Sequence, residues 1–251
     1  MKYRKSEFVD TPHGNFSVWR YMAHWKFQEL LSNSELFFIN AAKLSDQHEV
    51  TVPKSVLKSK RMELKDAGLS GRDLDEEMAA FHWETNPMKD LVLVNCWSIS
   101  SYESYALWKI YLGGEKNGVA IRSTVGSLRR AVEKGRDSYP EEFFVGKVKY
   151  RAHLRSDELA RLSVIITKKP YYKFEDELRL FILNYPLSEG GTRPPYDIKS
   201  GRTVKVDLES AVKQVYVSPF ADSGYSEEIK SLLKARGLTG KILKHSDIRD
   251  K

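Results

Sequence analysis

The sequence lacks the features that place proteins in membranes or outside the cell. Its one cysteine, Cys96, cannot form an internal disulfide, and its six histidines show no Cys/His spacing typical of a zinc site. The longest apolar runs, residues 91–94 and 162–166, are far shorter than the roughly 18 residues of a membrane span. The charged N-terminal segment lacks the apolar core of a secretory signal. We therefore expect a cytoplasmic protein with no membrane partner and no metal site.

The sequence also lacks the glycine- and serine-containing motifs of the common nucleotide-binding and hydrolase families. It has no Walker-type phosphate loop, no G-x-G-x-x-G after an apolar run, and no G-x-S-x-G. No internal repeat and no long Pro-, Gly- or Ser-rich linker divides the chain. We therefore expect a single domain over residues 1–251, with a site built from less common motifs.

What is present is a moderately basic composition. The 251 residues carry 41 Lys and Arg against 34 Asp and Glu, a net charge of +7, and 41% of them are apolar. That apolar share is ordinary for a globular protein, so global disorder is excluded. Basic clusters gain affinity for phosphates through counterion release, so the charge leaves open a nucleic-acid-binding protein without catalysis.

Apolar patterning predicts strands and helices that do not alternate regularly. Residues 53–86 are charged and helix-favouring around a glycine turn, which predicts a helical insertion or lid of two helices. Gly and Pro pairs at 190–195 predict a loop. The whole pattern indicates an α+β domain with a mixed or mainly antiparallel sheet and flanking helices. Strands are predicted at 16–21, 36–39, 91–94, 118–121, 143–150, 178–183 and 215–217. Among the helices, one with Leu107 is expected to end at Gly113, and another is expected from Leu159 and cannot continue at Pro170.

Two carboxylates in the segment Glu-Asp-Glu are the strongest candidates for catalysis. If the backbone there is extended, Glu175 and Glu177 project from the same face, because side chains repeat with a period of two. Close carboxylates repel, so their protonation separates and they can play different roles. One suits stabilisation of an oxocarbenium-like ribose, and the other suits proton removal from the incoming nucleophile. The alternative is a surface ion pair of Glu177 with Arg179 on an edge strand.

Two further segments place polar groups on predicted strands. Arg20 follows apolar residues, and its guanidinium is suited to bidentate capture of phosphate. The alternative is an ion pair within this chain, with Glu175, Glu177 or Asp46. Ser98 and Ser100 lie two apart and have hydroxyls suited to holding a cofactor ribose or orienting a glutamate. Among the nearby aromatic residues, Tyr21 and Trp108 are candidates to stack on a nicotinamide or a base.

The order of these motifs resembles a bacterial family described only as a domain of unknown function. The resemblance spans most of the chain but departs from the family at residues 44–49, where a Phe-Asn-Asp-Pro turn is usual. The matching features are the segment 19–31, the turn with Asp46 and Glu49, Cys96 and Ser98, Trp108 and Tyr111, Gly118 and Val119, Lys168 and Tyr172, Glu175, Glu177 and Arg179, and the segment 215–243.

The order Arg, Ser-x-Ser, Glu-x-Glu is also similar to the Arg-Ser-Glu class of NAD-dependent ADP-ribosyltransferases. This resemblance implies that NAD is the substrate, with Arg20 at its phosphate, Ser98 and Ser100 supporting the site, and Glu177 at the nicotinamide ribose. It places Glu175 near the acceptor.

The resemblance implies an ADP-ribosyltransferase-like fold and an enzyme that modifies a protein or nucleic-acid acceptor. Bacterial proteins of this class serve as toxins or in phage defence, with an antitoxin or immunity protein as a further partner. A third reading is a metal-dependent nuclease that uses Asp46, Glu49, Glu175 and Glu177, which the lack of a clear carboxylate-x-Lys motif beside these residues weakens.

Overall fold

Strands and helices cover most of the part of the chain that the structure, a computed structural model, describes: residues 1–135, 142–184 and 198–248. The strands are β1 (Lys2–Tyr3), β2 (Ser17–Ala23), β3 (Glu35–Asn40), β4 (Val92–Ile99), β5 (Gly118–Thr124), β6 (Glu142–Lys147), β7 (Lys149–Tyr150), β8 (Thr167–Lys168), β9 (Glu177–Leu183), β10 (Gly201–Lys205), β11 (Gln214–Val217) and β12 (Ile242–His245). The helices are α1 (His24–Asn33), α2 (Lys54–Asp66), α3 (Gly71–Thr85), α4 (Tyr105–Leu112), α5 (Val125–Lys134), α6 (Arg161–Ile165), α7 (Leu208–Ala211) and α8 (Tyr225–Ala235).

Ten of the described strands form one mixed sheet. Eight follow the order β1-β6-β9-β4-β2-β5-β11-β12, while β3 pairs with β4 and β10 pairs with β3. Two pairs, β1 with β6 and β11 with β12, are parallel, and the other pairs in this sheet are antiparallel. The strands β7 and β8 form a separate parallel pair. The expected single α+β domain with a mixed, mainly antiparallel sheet is confirmed.

Apolar side chains cover both faces of the sheet, as the alternation in β9 illustrates. Its residues Leu178 and Leu180 point into the larger core, formed with α1, α5 and α8. Phe181 belongs to a second cluster on the opposite face, with residues of α6. On that same face Trp108 of α4 packs against Trp19 of β2. Alternate side chains of a strand point to the same face, so the charged side chains of Glu177 and Arg179 lie on the same face as Phe181.

The segment 53–86 folds as two helices, as its composition predicts. Helix α2 and helix α3 pack together, with Val56 and Leu74 buried, while Met62 and Trp83 remain exposed. The expectation that this segment acts as an insertion or lid stays a prediction. None of the helices in the described ranges combines the length and apolar character that a membrane span requires.

The edge of β4 that faces β2 and β3 is only partly paired. Strand β3 pairs with β4 at Leu93 and Val94, and β2 pairs with it at Ser98 and Ile99. Between these contacts, residues 95–97 have no backbone ladder partner on this edge, so the ladder has a gap that side chains cross. Because Arg20 and the residues beyond it in β2 pair only with β5, strands β2 and β4 diverge after Trp19.

Several short elements, including β1, β8 and α7, are absent from the sequence-based expectations, and strand β10 and helix α6 show two causes of such differences. Strand β10 is absent from those expectations, because its sequence alternates weakly and its extended form depends on pairing with β3. The helix expected from Leu159 is short, because residues 156–158 form a separate turn before α6 begins at Arg161. The loop expected at 190–195 lies outside the described residues.

Candidate functional site

A cleft of about 680 Å³ passes through the gap between β2 and β4. Its volume lies within the range of roughly 300–1,000 Å³ that small-molecule sites occupy. It opens between α1 on one side of the sheet and α4 on the other. Five of the seven residues singled out in the sequence line it: Arg20, Tyr21, Ser98, Glu175 and Glu177.

Glu177 begins β9 and lies directly opposite Ser98 of β4. The Nε of Arg179 donates to one of its carboxylate oxygens at 2.7 Å, and a terminal nitrogen of that guanidinium donates to the other at 3.0 Å. Burial alone raises the pKa of Glu177, but Arg179 and its hydrogen bonds, together with Lys168, lower it to about 2. The carboxylate is therefore ionised at neutral pH, and its pair with Arg179 is buried in a central strand instead of lying on an edge.

Lys168 connects three carboxylates around Glu177. Its Nζ lies 2.8 Å from Glu175 Oε2, 3.0 Å from Glu49 Oε1 and 3.5 Å from Glu177 Oε2. The Glu49 carboxylate also accepts from Arg179. The lysine side chain is only 7% exposed, so it depends on these partners for its charged state. Burial lowers the pKa of Lys168, but attraction to the three carboxylates outweighs this effect and raises it.

Glu175 reaches the same cluster by a different route from the one expected. Residues 170–175 form a 3₁₀ helix, and Asp176 follows in the left-handed region at φ 37°, so the backbone is not extended there. The expectation that Glu175 and Glu177 share a strand face is therefore wrong. Their carboxylates nevertheless converge, because both approach Lys168.

The Glu175 side chain is the most exposed of the three carboxylates. It is 19% exposed, against 3% for Glu49 and 5% for Glu177. Burial and the neighbouring carboxylates raise the pKa of Glu175, although its hydrogen bond from Lys168 opposes this. Within one cleft, Glu177 is therefore strongly acidic and Glu175 is the better proton acceptor.

Arg20 lines the cleft without a carboxylate partner among the described residues. One of its terminal nitrogens donates to the Cys96 backbone oxygen at 3.2 Å, and its guanidinium lies 5.8 Å from the centre of the Trp97 ring. Burial lowers the pKa of Arg20. The predicted alternatives, ion pairs with Glu175, Glu177 or Asp46, are not formed. An uncompensated guanidinium at a cleft wall suits an anionic ligand, because a ligand phosphate would supply the missing counter-charge.

Arg20 and Glu177 enter the cleft from opposite faces of the sheet. The Arg20 side chain leaves β2 on the same face as Val18 and Met22, which belong to the larger core, because side chains two residues apart point the same way. Glu177 leaves β9 on the opposite face, with Phe181. Both line the cleft because it passes through the sheet at the gap. A ligand held in the cleft can therefore contact both residues.

Aromatic side chains form much of the cleft wall. Trp25 of α1, Phe37 of β3 and Tyr111 of α4 line it, and each is about half exposed. The Tyr21 ring stacks on Tyr111 at 6.5 Å between centroids, and its hydroxyl accepts from the Ser104 backbone N–H. Burial, with nearby negative charge, raises the pKa of Tyr111. The exposed rings of Trp25, Phe37 and Tyr111 offer flat surfaces on which a heterocyclic base can stack. Tyr21 is buried and packs against Tyr111 and Trp108, so the expectation that it stacks on a ligand is corrected.

Two of the sequence candidates do not line the cleft. Trp108 is fully buried in the cluster between α4 and β2, and its Nε1 donates to Glu103 at 2.8 Å. Ser100 lies beyond the end of β4, where its hydroxyl accepts from the Tyr102 backbone N–H. The expectation that these two residues contact a cofactor is corrected: Trp108 is a core residue and Ser100 stabilises a turn.

The carboxylates do not form a metal centre. No group of three or more potential ligands that could hold a metal ion occurs in residues 1–135, 142–184 and 198–248. Lys168 and Arg179 occupy the positions between Glu49, Glu175 and Glu177 where a metal would have to bind. Asp46 instead accepts from the His48 backbone N–H in its own turn. This arrangement argues against the nuclease reading.

The sequence-based reasoning did not assign site roles to the two cations at the centre of the cluster. The sequence predicts Arg179 as a surface partner of Glu177, and both Arg179 and Lys168 belong to the family resemblance, which gives them no role. A charged residue inside the apolar run of β9 was the available signal, because a buried arginine needs a nearby carboxylate. Nothing in the sequence indicated that Glu49, more than 100 residues away, supplies one.

Comparison of the chain with known protein families, with curated proteins and with solved structures finds no match.

Proposed function

We propose that this protein is an ADP-ribosyltransferase-like enzyme that uses NAD as its substrate and modifies a protein or nucleic-acid acceptor. One observation carries the proposal. An arginine without a carboxylate partner and a glutamate with a pKa of about 2 line one aromatic-walled cleft. The cleft thus combines an anion site, a stabiliser of positive charge and stacking surfaces, which are the three features that NAD requires.

The chain's residues fit the chemical groups of NAD in a consistent order. The Arg20 guanidinium suits the pyrophosphate, and the half-exposed rings of Trp25 and Tyr111 offer faces for the two heterocycles. Ser98, opposite Glu177, is placed to contact a ribose or the carboxylate beside it. Bound NAD supplies a good leaving group, because the electron pair of the broken N-glycosidic bond neutralises the nicotinamide ring.

Glu177 and Glu175 would have different catalytic roles. The ionised Glu177 carboxylate stabilises positive charge on the ribose as the bond to nicotinamide breaks. Glu175 then takes the proton from the acceptor nucleophile as that nucleophile bonds to the ribose carbon. Arg179 and Lys168 do not touch the substrate in this scheme; they hold Glu177 ionised and fix its orientation.

Nicotinamide release tests the proposal directly. The purified protein is incubated with NAD and a broad panel of protein and nucleic-acid acceptors, and nicotinamide is quantified for wild type and variants. We expect Glu177→Gln to slow release by roughly 100-fold or more, the usual cost of losing a group that stabilises developing charge. We expect Arg20→Gln to raise KM by about 10- to 100-fold with a smaller change in kcat, since it removes charge-assisted hydrogen bonds to the substrate.

Two controls separate catalysis from folding. Glu76→Gln removes an exposed carboxylate on α3, far from the cleft lining, and should release nicotinamide like wild type. Each variant is first compared with wild type by circular dichroism and thermal melting, so that Arg20→Gln carries the test if Glu177→Gln does not fold. Equal release by wild type and Glu177→Gln, or no release by wild type with any acceptor, would refute the proposal.

A further inference from the structure

A second cavity adjoins the cleft and shares two of its buried residues. This cavity, of about 250 Å³, lies between the start of α2 and the segments 151–154 and 167–169. Glu49 and Lys168 line both the cavity and the cleft. Because Lys168 Nζ lies 2.8 Å from Glu175 and 3.5 Å from Glu177, a group held in this cavity is close to both carboxylates.

The cavity is lined mainly by groups that attract anions. Its wall includes basic or imidazole side chains from three segments: His48, Arg151, His153, Lys168 and Lys169. Ser55 and Ser59, four residues apart on one face of α2, add hydroxyl donors. The wall also carries the carboxylates of Asp46 and Glu49. Glu49 is paired with Lys168 and Arg179, and the charge of Lys168 is itself taken up by the three carboxylates around it. The fit to an anion therefore depends on the donors of Arg151, Lys169, Ser55 and Ser59, which are side-chain types that bind phosphate oxygens.

The size of the cavity limits what it holds. At about 250 Å³ it is just below the roughly 300 Å³ at which small-molecule sites begin, a size that suits one small group better than a whole nucleotide. One phosphate group does fit, and arginine and hydroxyl donors are its usual partners. The rest of such a ligand would extend over the protein surface, which has a net positive charge.

We propose that this cavity binds a backbone phosphate of the acceptor, and that the acceptor is therefore a nucleic acid. This inference rests on the proposed function, since it names the acceptor class of that same site. With a phosphate held beside Lys168, the adjoining nucleotide reaches the cleft at Glu175, the most accessible carboxylate of the cluster.

Oligonucleotide binding tests the inference without any catalysis. Fluorescence polarisation is measured with labelled single-stranded DNA and RNA of about 12 nucleotides, a length within the usual range of single-strand sites, across a salt series. The variant Arg151→Gln/Lys169→Gln should bind about 10-fold more weakly than wild type at low salt. Its slope of log affinity against log salt should be smaller by about 1.4, because two phosphate contacts are lost.

A charge-matched control decides whether the effect is local. Lys230→Gln/Lys234→Gln removes the same charge from exposed positions on α8 and should bind like wild type. Equal weakening in both double variants, or none in either, overturns the inference. Transfer of labelled ADP-ribose to proteins, without binding of the oligonucleotides, also overturns it and leaves the proposed function standing.

The two proposals fail in distinguishable ways. Oligonucleotide binding that the Arg151→Gln/Lys169→Gln variant selectively loses, in a protein that never releases nicotinamide, supports the phosphate site and refutes the enzyme. Glu177-dependent release of nicotinamide with no oligonucleotide binding supports the enzyme and refutes the phosphate site.

Discussion

Removing the Arg179 side chain should destabilise the protein in a pH-dependent way. The variant Arg179→Met leaves Glu49 and Glu177 buried with Lys168 as their remaining cation. Glu177 has a pKa of about 2 in the folded protein and a usual value of 4.5, a difference that corresponds to about 3 kcal/mol. Breaking a buried ion pair by removing one partner typically costs about 3–5 kcal/mol. We therefore expect a loss of about 3–5 kcal/mol at pH 7.

The sign of the pH dependence follows from the lowered pKa. Stability from an ionised Glu177 is fully present above pH 4.5 and is lost as pH falls from 4.5 towards 2. The difference between wild type and Arg179→Met should therefore shrink over that interval, because the carboxylate becomes protonated in both proteins. Glu175, with its raised pKa, contributes with the opposite sign, so the test compares the two proteins instead of following one.

Urea unfolding followed by circular dichroism at several pH values between 3 and 7 measures this difference. Arg72→Met is the control: it removes an exposed arginine paired with Glu76 on α3 and should cost less than about 1 kcal/mol at every pH. If Arg179→Met does not fold at pH 7, Arg179→Lys replaces it in the test. Lysine keeps the positive charge but cannot make the bidentate contact with Glu177, so we expect a smaller loss in the free energy of unfolding. A difference below about 1 kcal/mol at pH 7, or one that does not change with pH, would refute this account of the cluster.

Two further substitutions test the packing around the cleft. Trp108→Phe removes the donor to Glu103 and part of the buried ring, so we expect thermal unfolding to show a loss of about 1–3 kcal/mol while the KM for NAD stays unchanged; a raised KM at unchanged stability would contradict the core assignment. Gly118→Ala would place a methyl group 2.6 Å from the Met22 carbonyl oxygen and should cost about 1–3 kcal/mol. Gly240→Ala, with no atom within 4 Å, is its matched control, and equal melting temperatures would contradict the crowding at Gly118.

Local patterns were sufficient to predict most of the elements that form the sheet. The run Leu178–Leu183 is rich in strand formers, and it lies in β9. Gly113, expected to end the helix before it, adopts the left-handed conformation at the C-terminus of α4. The prediction failed where a tertiary contact decides the conformation, as at Asp176, whose left-handed backbone interrupts what the sequence suggested was an extended segment.

The site was predictable only in part, for the same reason. Arg20, Ser98 and Glu177 could be proposed because each lies on a strand with a readable local pattern, and all three line one cleft. Trp108 was misassigned because an aromatic residue in a core has the same sequence signature as one that stacks on a ligand. The roles of Lys168 and Glu49 depend on charges that meet only after folding, so no spacing in the chain indicates them.

The gap between β2 and β4, where the cleft lies, divides the main sheet into two parts. Six strands of the main sheet, ending at β4, lie on one side of it, and the four from β2 to β12 lie on the other. Two residue pairs, Val18 with Ile99 and Trp19 with Ser98, are the backbone ladder that joins β2 to β4. A ligand that contacts both Arg20 and Glu177 would stabilise the association of the two parts, because its contacts add to those of the short ladder. Substrate binding and the cohesion of the sheet are then thermodynamically linked.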